Sequence, residues 1–170
     1  MDLIDESLDK VNCKERHITE GNHDNWLNYA VEKYPYIPHY KFKNAVNLKD
    51  RGYTYHPMGK YYREGKLFFY HGNQFGGQYH ASNHLRKKAC NVMYGHWHDL
   101  QQHSVTHWDG VKSAWSIGCL KDMSSESNAW LGNRAHAFAI VDFFKGGLFT
   151  VHIIQIINGK TSLWGELIEG

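Results

Sequence analysis

Cysteine, proline and long apolar runs are all scarce in this chain. Its 170 residues include only three cysteines, Cys13, Cys90 and Cys119, and three prolines. The cysteines are odd in number, far apart and form no CxxC, which excludes a disulfide framework and fits a reducing compartment. The longest apolar stretches, residues 137–141 and 153–157, are too short to span a bilayer. The opening residues are acidic and lack the charged and apolar regions of a secretion signal, so the expected location is cytoplasmic. A formal net charge of +2 is too small to argue for nucleic-acid binding, and Arg86-Lys87-Lys88 reads as a solvated helix face.

What the chain does have is apolar and aromatic content, 42% and 15%, enough for a packed core. It also has 13 histidines. Histidine is the commonest metal ligand and the side chain that titrates near neutral pH. The question is which histidines stand at positions with a mechanism.

The length suits one domain over residues 1–170, without repeats, low-complexity tracts or linkers. Residues 2–11 carry Leu3, Ile4, Leu8 and Val11 at helical spacing. A short strand at 17–19 leads into Gly21-Asn22-His23-Asp24. Residues 26–33 read as a helix stopped by Tyr34-Pro35. Residues 36–63 are aromatic, are interrupted by Pro38 and Pro57, and give no clear element. Residues 66–70 form a buried-type strand ending at His71, 81–88 a helix, and 91–94 a strand ending at Gly95. Two hairpins follow. Residues 101–108 and 111–117 flank Asp109-Gly110, and 137–144 and 148–157 flank Lys145-Gly146-Gly147. Asn158-Gly159 then turns the chain into residues 161–164. Strand and helix alternate first and hairpins come after, so the expected class is mixed α/β (α+β): a mixed sheet with helices, then an antiparallel layer.

Three polar clusters each follow directly on a short strand: residues 21–24, His71-Gly72, and Gly95-His96-Trp97-His98. Residues just past the carboxyl ends of neighbouring strands gather on one rim of an α/β sheet, where ligand sites form. Gly95-His96-Trp97-His98 puts two imidazoles at i and i+2, with Gly95 expected to supply an unusual backbone conformation. Asn22-His23-Asp24 reads plainly as a turn. In the functional reading, Asn22 would be a neutral oxygen ligand, His23 a proton donor or transition-state stabiliser, and Asp24 the group that orients the His23 ring. His71 alone could be a satisfied strand-end histidine.

This order of motifs resembles the last three motifs of the calcineurin-like metallophosphoesterases. Residues 115–120, 137–141 and the turn at 156–160 resemble that family's closing strands, especially in phage and bacterial members, so the likeness runs over nearly the whole chain. It implies a partial αββα sandwich and a dinuclear centre for phosphoester hydrolysis. Asn22, His71 and His96 would ligate one ion and His98 the other. His23 would be the catalytic acid or stabiliser, with Asp24 behind it. The ions would be Mn, Fe, Zn or Ni, and the substrate a phosphodiester or phosphomonoester such as a nucleotide or nucleic acid. The family's two earlier motifs, D-x-H and G-D-x-x-D, supply most ligands of the first ion and the bridging carboxylate. Neither occurs in this sequence. The resemblance therefore implies a domain truncated at its N-terminus and lacking its first strands. The missing motifs would come from a longer chain or from a second chain made by a split gene, unless the protein is a remnant. The alternative is a non-catalytic interaction or regulatory module on the same fold, and a third reading is nucleic-acid binding.

Other residues take plainer readings. His80 and His84, at i and i+4 without an HExxH glutamate, read as a surface pair. His103 and His107 read as structural, and Asp2, Asp5 and Asp9 as ordinary surface charge. Asn73, Gln74 and Tyr79 stand in a loop after His71 and could touch substrate. Tyr34, Tyr36, Tyr40, Tyr53 and Tyr55 could stack on bases, but packing is the better reading.

Overall fold

The computed structural model describes residues 1–37, 40–121 and 133–170. The chain forms two compact units, residues 1–62 and 63–170. The single-domain reading drew no boundary there. Pro38, on which that reading placed a break, lies outside the described residues.

The first unit starts with α1 (Asp2–Lys10), which has Asp2 and Asp5 in its first turn and Lys10 in its last, charges that suit the helix dipole. Strand β1 (Arg16–Thr19) pairs in parallel with β2 (Tyr53–His56). Between them run α2 (Asn22–Lys33) and the single turn α3 (Phe42–Ala45). The α1 face expected to carry only surface charge holds an ion cluster. Asp5 accepts bonds from the Tyr53 hydroxyl at 2.7 Å and from Arg51. Asp2 takes the other Arg51 nitrogen at 2.7 Å, and Asp9 takes Arg16. Tyr53 and the arginines hold the Asp5 carboxyl below the usual range. The correction arises because both arginines come from the β1–β2 region, and helical spacing alone does not show that.

The second unit is built on a five-stranded sheet, ordered β3 (Tyr62–Glu64), β4 (Leu67–Phe69), β5 (Asn91–Tyr94), β7 (Gly110–Ile117), β6 (Leu100–His107). β4, β5 and β7 are parallel, and β6 runs antiparallel to β7. The β6–β7 turn sits one residue earlier than expected. His107 pairs with Gly110, so Trp108-Asp109 form the tip, and Gly110 opens β7 with φ +117°.

Both faces of this sheet are covered, as parallel strands require. One face carries α4 (His80–Lys88). Ala81 and Leu85 pack there with Tyr70, Val92, Tyr94 and Ala114. The other face buries Leu67, Met93 and Trp115 under β8 (Ala137–Phe143) and β9 (Phe149–Gln155), an antiparallel pair contributing Ala139, Val141, Phe149, Val151 and Ile153. Val92 and Tyr94 point to the helix, and Met93 between them points to the hairpin, as a period of two demands. Burying each large apolar side chain contributes about 1.5–3 kcal/mol. A final hairpin, β10 (Lys160–Leu163) with β11 (Glu166–Glu169), extends past the last element expected from sequence.

Candidate metal centre

In the second unit, the parallel register of β4 and β5 pairs Phe69 with Met93. The next residues of both strands therefore leave the sheet side by side. The carbonyl of His71 accepts the N–H groups of Gly95 (3.3 Å) and His96 (3.0 Å), fastening one loop to the other. The two rings meet edge to face, with His71 Nε2 and His96 Nδ1 2.9 Å apart. Gly72 makes this approach feasible. It has φ +97°, and a Cβ there would lie 2.6 Å from Tyr94 Cβ.

The distance between the two nitrogens tests whether the pair suits an ion. Two imidazoles bound cis on an octahedral ion, with bonds of about 2.1 Å, hold their nitrogens about 3.0 Å apart. The observed 2.9 Å matches that bite and is equally the length of an N–H···N hydrogen bond between neutral rings. His98 occupies the same loop at φ +60°, its N–H on the Gly95 carbonyl (3.2 Å) and its carbonyl on the Ala135 N–H (2.8 Å). The strained backbone thus falls on His98. Gly95, expected to supply it, is not among the positive-φ glycines. Among the described residues, no group of three or more His, Cys, Asp or Glu side chains gathers around one point.

Beneath the loop lies a polar network that the sequence reading missed. Asp99, 6% exposed, directly follows His98. Its carboxylate accepts Ser116 Oγ at 2.8 Å, Gln101 Nε2 at 2.9 Å and His80 Nε2 at 2.9 Å. A carboxylate only accepts, so His80 Nε2 carries the proton. In the neutral ring, Nδ1 then takes the Tyr94 hydroxyl, 2.7 Å away. The Trp97 indole stacks on the His80 ring, centroids 5.2 Å apart. His84, one turn along α4, is fully buried with Nδ1 on the Tyr70 hydroxyl and its ring stacked on Tyr94 at 4.0 Å. Its Nε2 is buried without a hydrogen-bond partner among the described residues. Burial pushes the His84 pKa down to about 4 and the Tyr70 and Tyr94 hydroxyls up. The expected surface pair is therefore a core pair. His80 and His84 share the buried face of α4 with Ala81 and Leu85, and tyrosine hydroxyls supply their partners.

In the first unit, the Asn22-His23-Asp24 cluster is the first turn of α2, which begins earlier than the expected residue 26. Gly21 is its N-cap, and Asp24 Oδ2 accepts the Gly21 N–H at 2.9 Å. That bond gives Asp24 a capping role where orientation of His23 was expected. The exposed His23 ring lies against Trp26, centroids 4.4 Å apart. Glu20, just before the cluster, is 2% exposed. It accepts the Met58 N–H at 2.7 Å and an amide hydrogen of Asn28. Burial and the bond to Glu20 together push Tyr55 up to about 12. Tyr55 and Tyr53 are half-buried, whereas Tyr34, Tyr36 and Tyr40, also read as packing residues, are exposed. A second imidazole pair, His17 Nδ1 and His56 Nε2 at 3.1 Å, also lay outside the sequence reading. Burial and the neighbouring His17 lower the His56 pKa.

The structure thus joins His71 to His96, puts His98 on the same loop, and groups Asn22, His23 and Asp24 on one helix turn in the other unit. Among the described residues, no helix is long and apolar enough to cross a membrane. Comparison with protein-family models, curated proteins and solved structures finds no match.

Proposed function

We propose that this chain carries the later half of a calcineurin-like, metal-dependent phosphoester hydrolase. The observation that carries the reading is the His71–His96 pair, whose nitrogens stand 2.9 Å apart at the ends of adjacent parallel strands. His71 and His96 would hold one ion, and His98 would bind a second. Imidazole suits Fe, Zn or Ni, and Mn where oxygen ligands join it. A bound divalent ion would draw charge from phosphoryl oxygens and lower the pKa of a coordinated water. By the family resemblance, His23 would be the acid that protonates a leaving oxygen. The bridging carboxylate belongs to motifs this sequence lacks, so full activity would need D-x-H and G-D-x-x-D supplied by further polypeptide.

The test begins with binding. Calorimetry with Co(II) or Mn(II) on the 170-residue chain should show a site that His71→Ala abolishes. The His17→Ala background removes the competing pair at 3.1 Å. Binding unaffected by His71→Ala would overturn the assignment. In an assembly that supplies the carboxylate motifs, His23→Ala should abolish turnover and leave metal affinity intact.

One observation favours the non-catalytic interaction module. Helix α1 buries none of its residues and leaves Leu3 81% exposed. Metal-dependent turnover by the assembled protein would exclude that reading.

A further inference from the structure

We propose that His80 is a positioning residue that clamps the His96-Trp97-His98 loop from below; the inference rests on the reading of that loop as metal-binding. One imidazole touches three residues that bracket both candidate ligands. Its Nδ1 meets Tyr94, two residues before His96, at 2.7 Å. Its face carries Trp97, between the two histidines, at 5.2 Å. Its Nε2 meets Asp99, just after His98, at 2.9 Å.

The loop needs such a clamp. A residue with a Cβ in the left-handed region costs about 1–2 kcal/mol, so His98 at φ +60° persists only because its surroundings hold it. Asp99 is the nearest anchor. Its carboxylate is shared among His80, Gln101 and Ser116, and its carbonyl accepts the Gly118 N–H at 2.8 Å. His80 is itself fixed. It opens α4, whose next residue, Ala81, donates its N–H to Gln101 Oε1 at 3.3 Å. His80 is 2% exposed and Tyr94 2%, so water does not compete for these bonds. Imidazole ligands are held in place by such buried outer partners. Here the partner acts through the backbone and through Trp97 rather than on a ligand ring.

The experiment measures Co(II) affinity and the Co(II) visible spectrum on the full chain, with thermal melting in parallel. His80→Phe keeps a ring for Trp97 and loses both polar bonds. It should raise the Kd about 10–100-fold and alter the Co(II) band, while the protein remains folded at the assay temperature. His80→Gln, which retains a donor for Asp99, should recover most of that affinity. If His80→Phe does not fold, Ser116→Ala removes the hydroxyl shared by the Asp99 carbonyl (2.9 Å) and carboxylate (2.8 Å) with little volume change, and a several-fold weaker Kd is expected. A wild-type affinity retained by folded His80→Phe, or by Ser116→Ala where the Phe variant is lost, overturns the clamp and leaves the metal reading standing. A Gln variant as weak as the Phe variant overturns the role of the Asp99 bond. No Co(II) binding by the wild-type chain overturns both.

Discussion

Each unit braces its polar motif with a buried carboxylate one residue away in sequence, but the two braces are made differently. In the first unit, Glu20 precedes Gly21 and is held by an amide side chain, a backbone N–H and the Tyr55 hydroxyl. Among the described residues, the unit's buried hydrophobics are Val31, Phe42 and Leu48. Ion pairs around Asp5, Arg51 and Arg16 tie α1 to the strand region. In the second unit, Asp99 follows His98, is buried, and bonds to His80, Gln101 and Ser116, with the His80 ring itself packed among His84, Tyr94 and Trp97. The two units should therefore fail in different ways. The first depends on charge and backbone bonds, and the second on close packing around imidazoles.

Disturbing the packing should cost the most. Gly72→Ala forces a left-handed backbone on alanine and drives its Cβ to 2.6 Å from Tyr94 Cβ. The backbone strain and overpacking together should destabilise the second unit by about 2–5 kcal/mol. Gly52→Ala in the first unit is the matched control, because Gly52 has φ +77° and a Cβ added there would meet nothing within 4 Å. It should lose only the backbone part, about 1–2 kcal/mol. Denaturant unfolding of the two variants measures the difference. Equal losses would mean that the Tyr94 contact is relieved by a small shift and that the second unit is looser than its burial suggests.

Acid should separate the units next. His84 has its pKa pushed down to about 4 by burial, against the ordinary 6.5. Its neutral form belongs to the folded state, so the stabilisation is complete above pH 6.5 and is lost as pH falls toward 4. Across that interval the loss is on the order of 3 kcal/mol. The Asp5 carboxyl is also lowered, chiefly by Tyr53, from an ordinary value of 3.8. Its contribution is present above that value and is lost only at lower pH. His56 in β2, also lowered, draws the first unit into the same window more weakly than His84, so at pH 5 amide exchange should quicken most in α4 and β5. His84→Phe should flatten the second unit's response between pH 6.5 and 4. Greater quickening at the β1–β2 pair would mean that the buried stack admits water and protonates without penalty.

The same contrast explains what the sequence made legible. Strands and hairpins of the second unit follow from period-two apolar runs and from turn residues, and β5 at Asn91–Tyr94 matches its expected bounds. The pairing of His71 with His96 follows from strand ends in a parallel sheet, which pattern alone can suggest. His80 and His84 mislead because histidines at i and i+4 look like a helix's wet side. Their burial depends on hydroxyls of Tyr70 and Tyr94, which come from other strands. Glu20 and Asp99 escape notice for a related reason. A carboxylate next to a motif reads as solvated until its partners are known, and those lie 8–38 residues away for Glu20 and up to 19 for Asp99. The capping role of Asp24 is hidden because its bond needs a helix that starts at Asn22, earlier than the apolar period shows.

Salt should act more weakly and chiefly on the first unit, whose ion pairs join α1 to the β1–β2 region. The Lys112–Asp109 and Lys160–Glu169 pairs of the second unit lie within single hairpins. The Arg51–Asp2 and Arg16–Asp9 contacts involve carboxylates that are 82% and 69% exposed, so added electrolyte should screen them. The His80–Asp99 contact, with side chains 3% and 9% exposed, lies beyond the reach of that screening. Raising NaCl from about 0.1 to 1 M shortens the Debye length from about 10 to 3 Å. It should lower the first unit's melting midpoint by about 2–4 °C and leave α4 protection unchanged or slightly raised. Replacing both Asp2 and Asp9 by Asn should abolish the salt response, because they are the exposed partners of Arg51 and Arg16. A salt response that survives the double change would locate the charge dependence of the first unit in its less exposed carboxylates, Asp5 and Glu20. In that case both units would be held by the same kind of buried brace, and the contrast between them would reduce to core size.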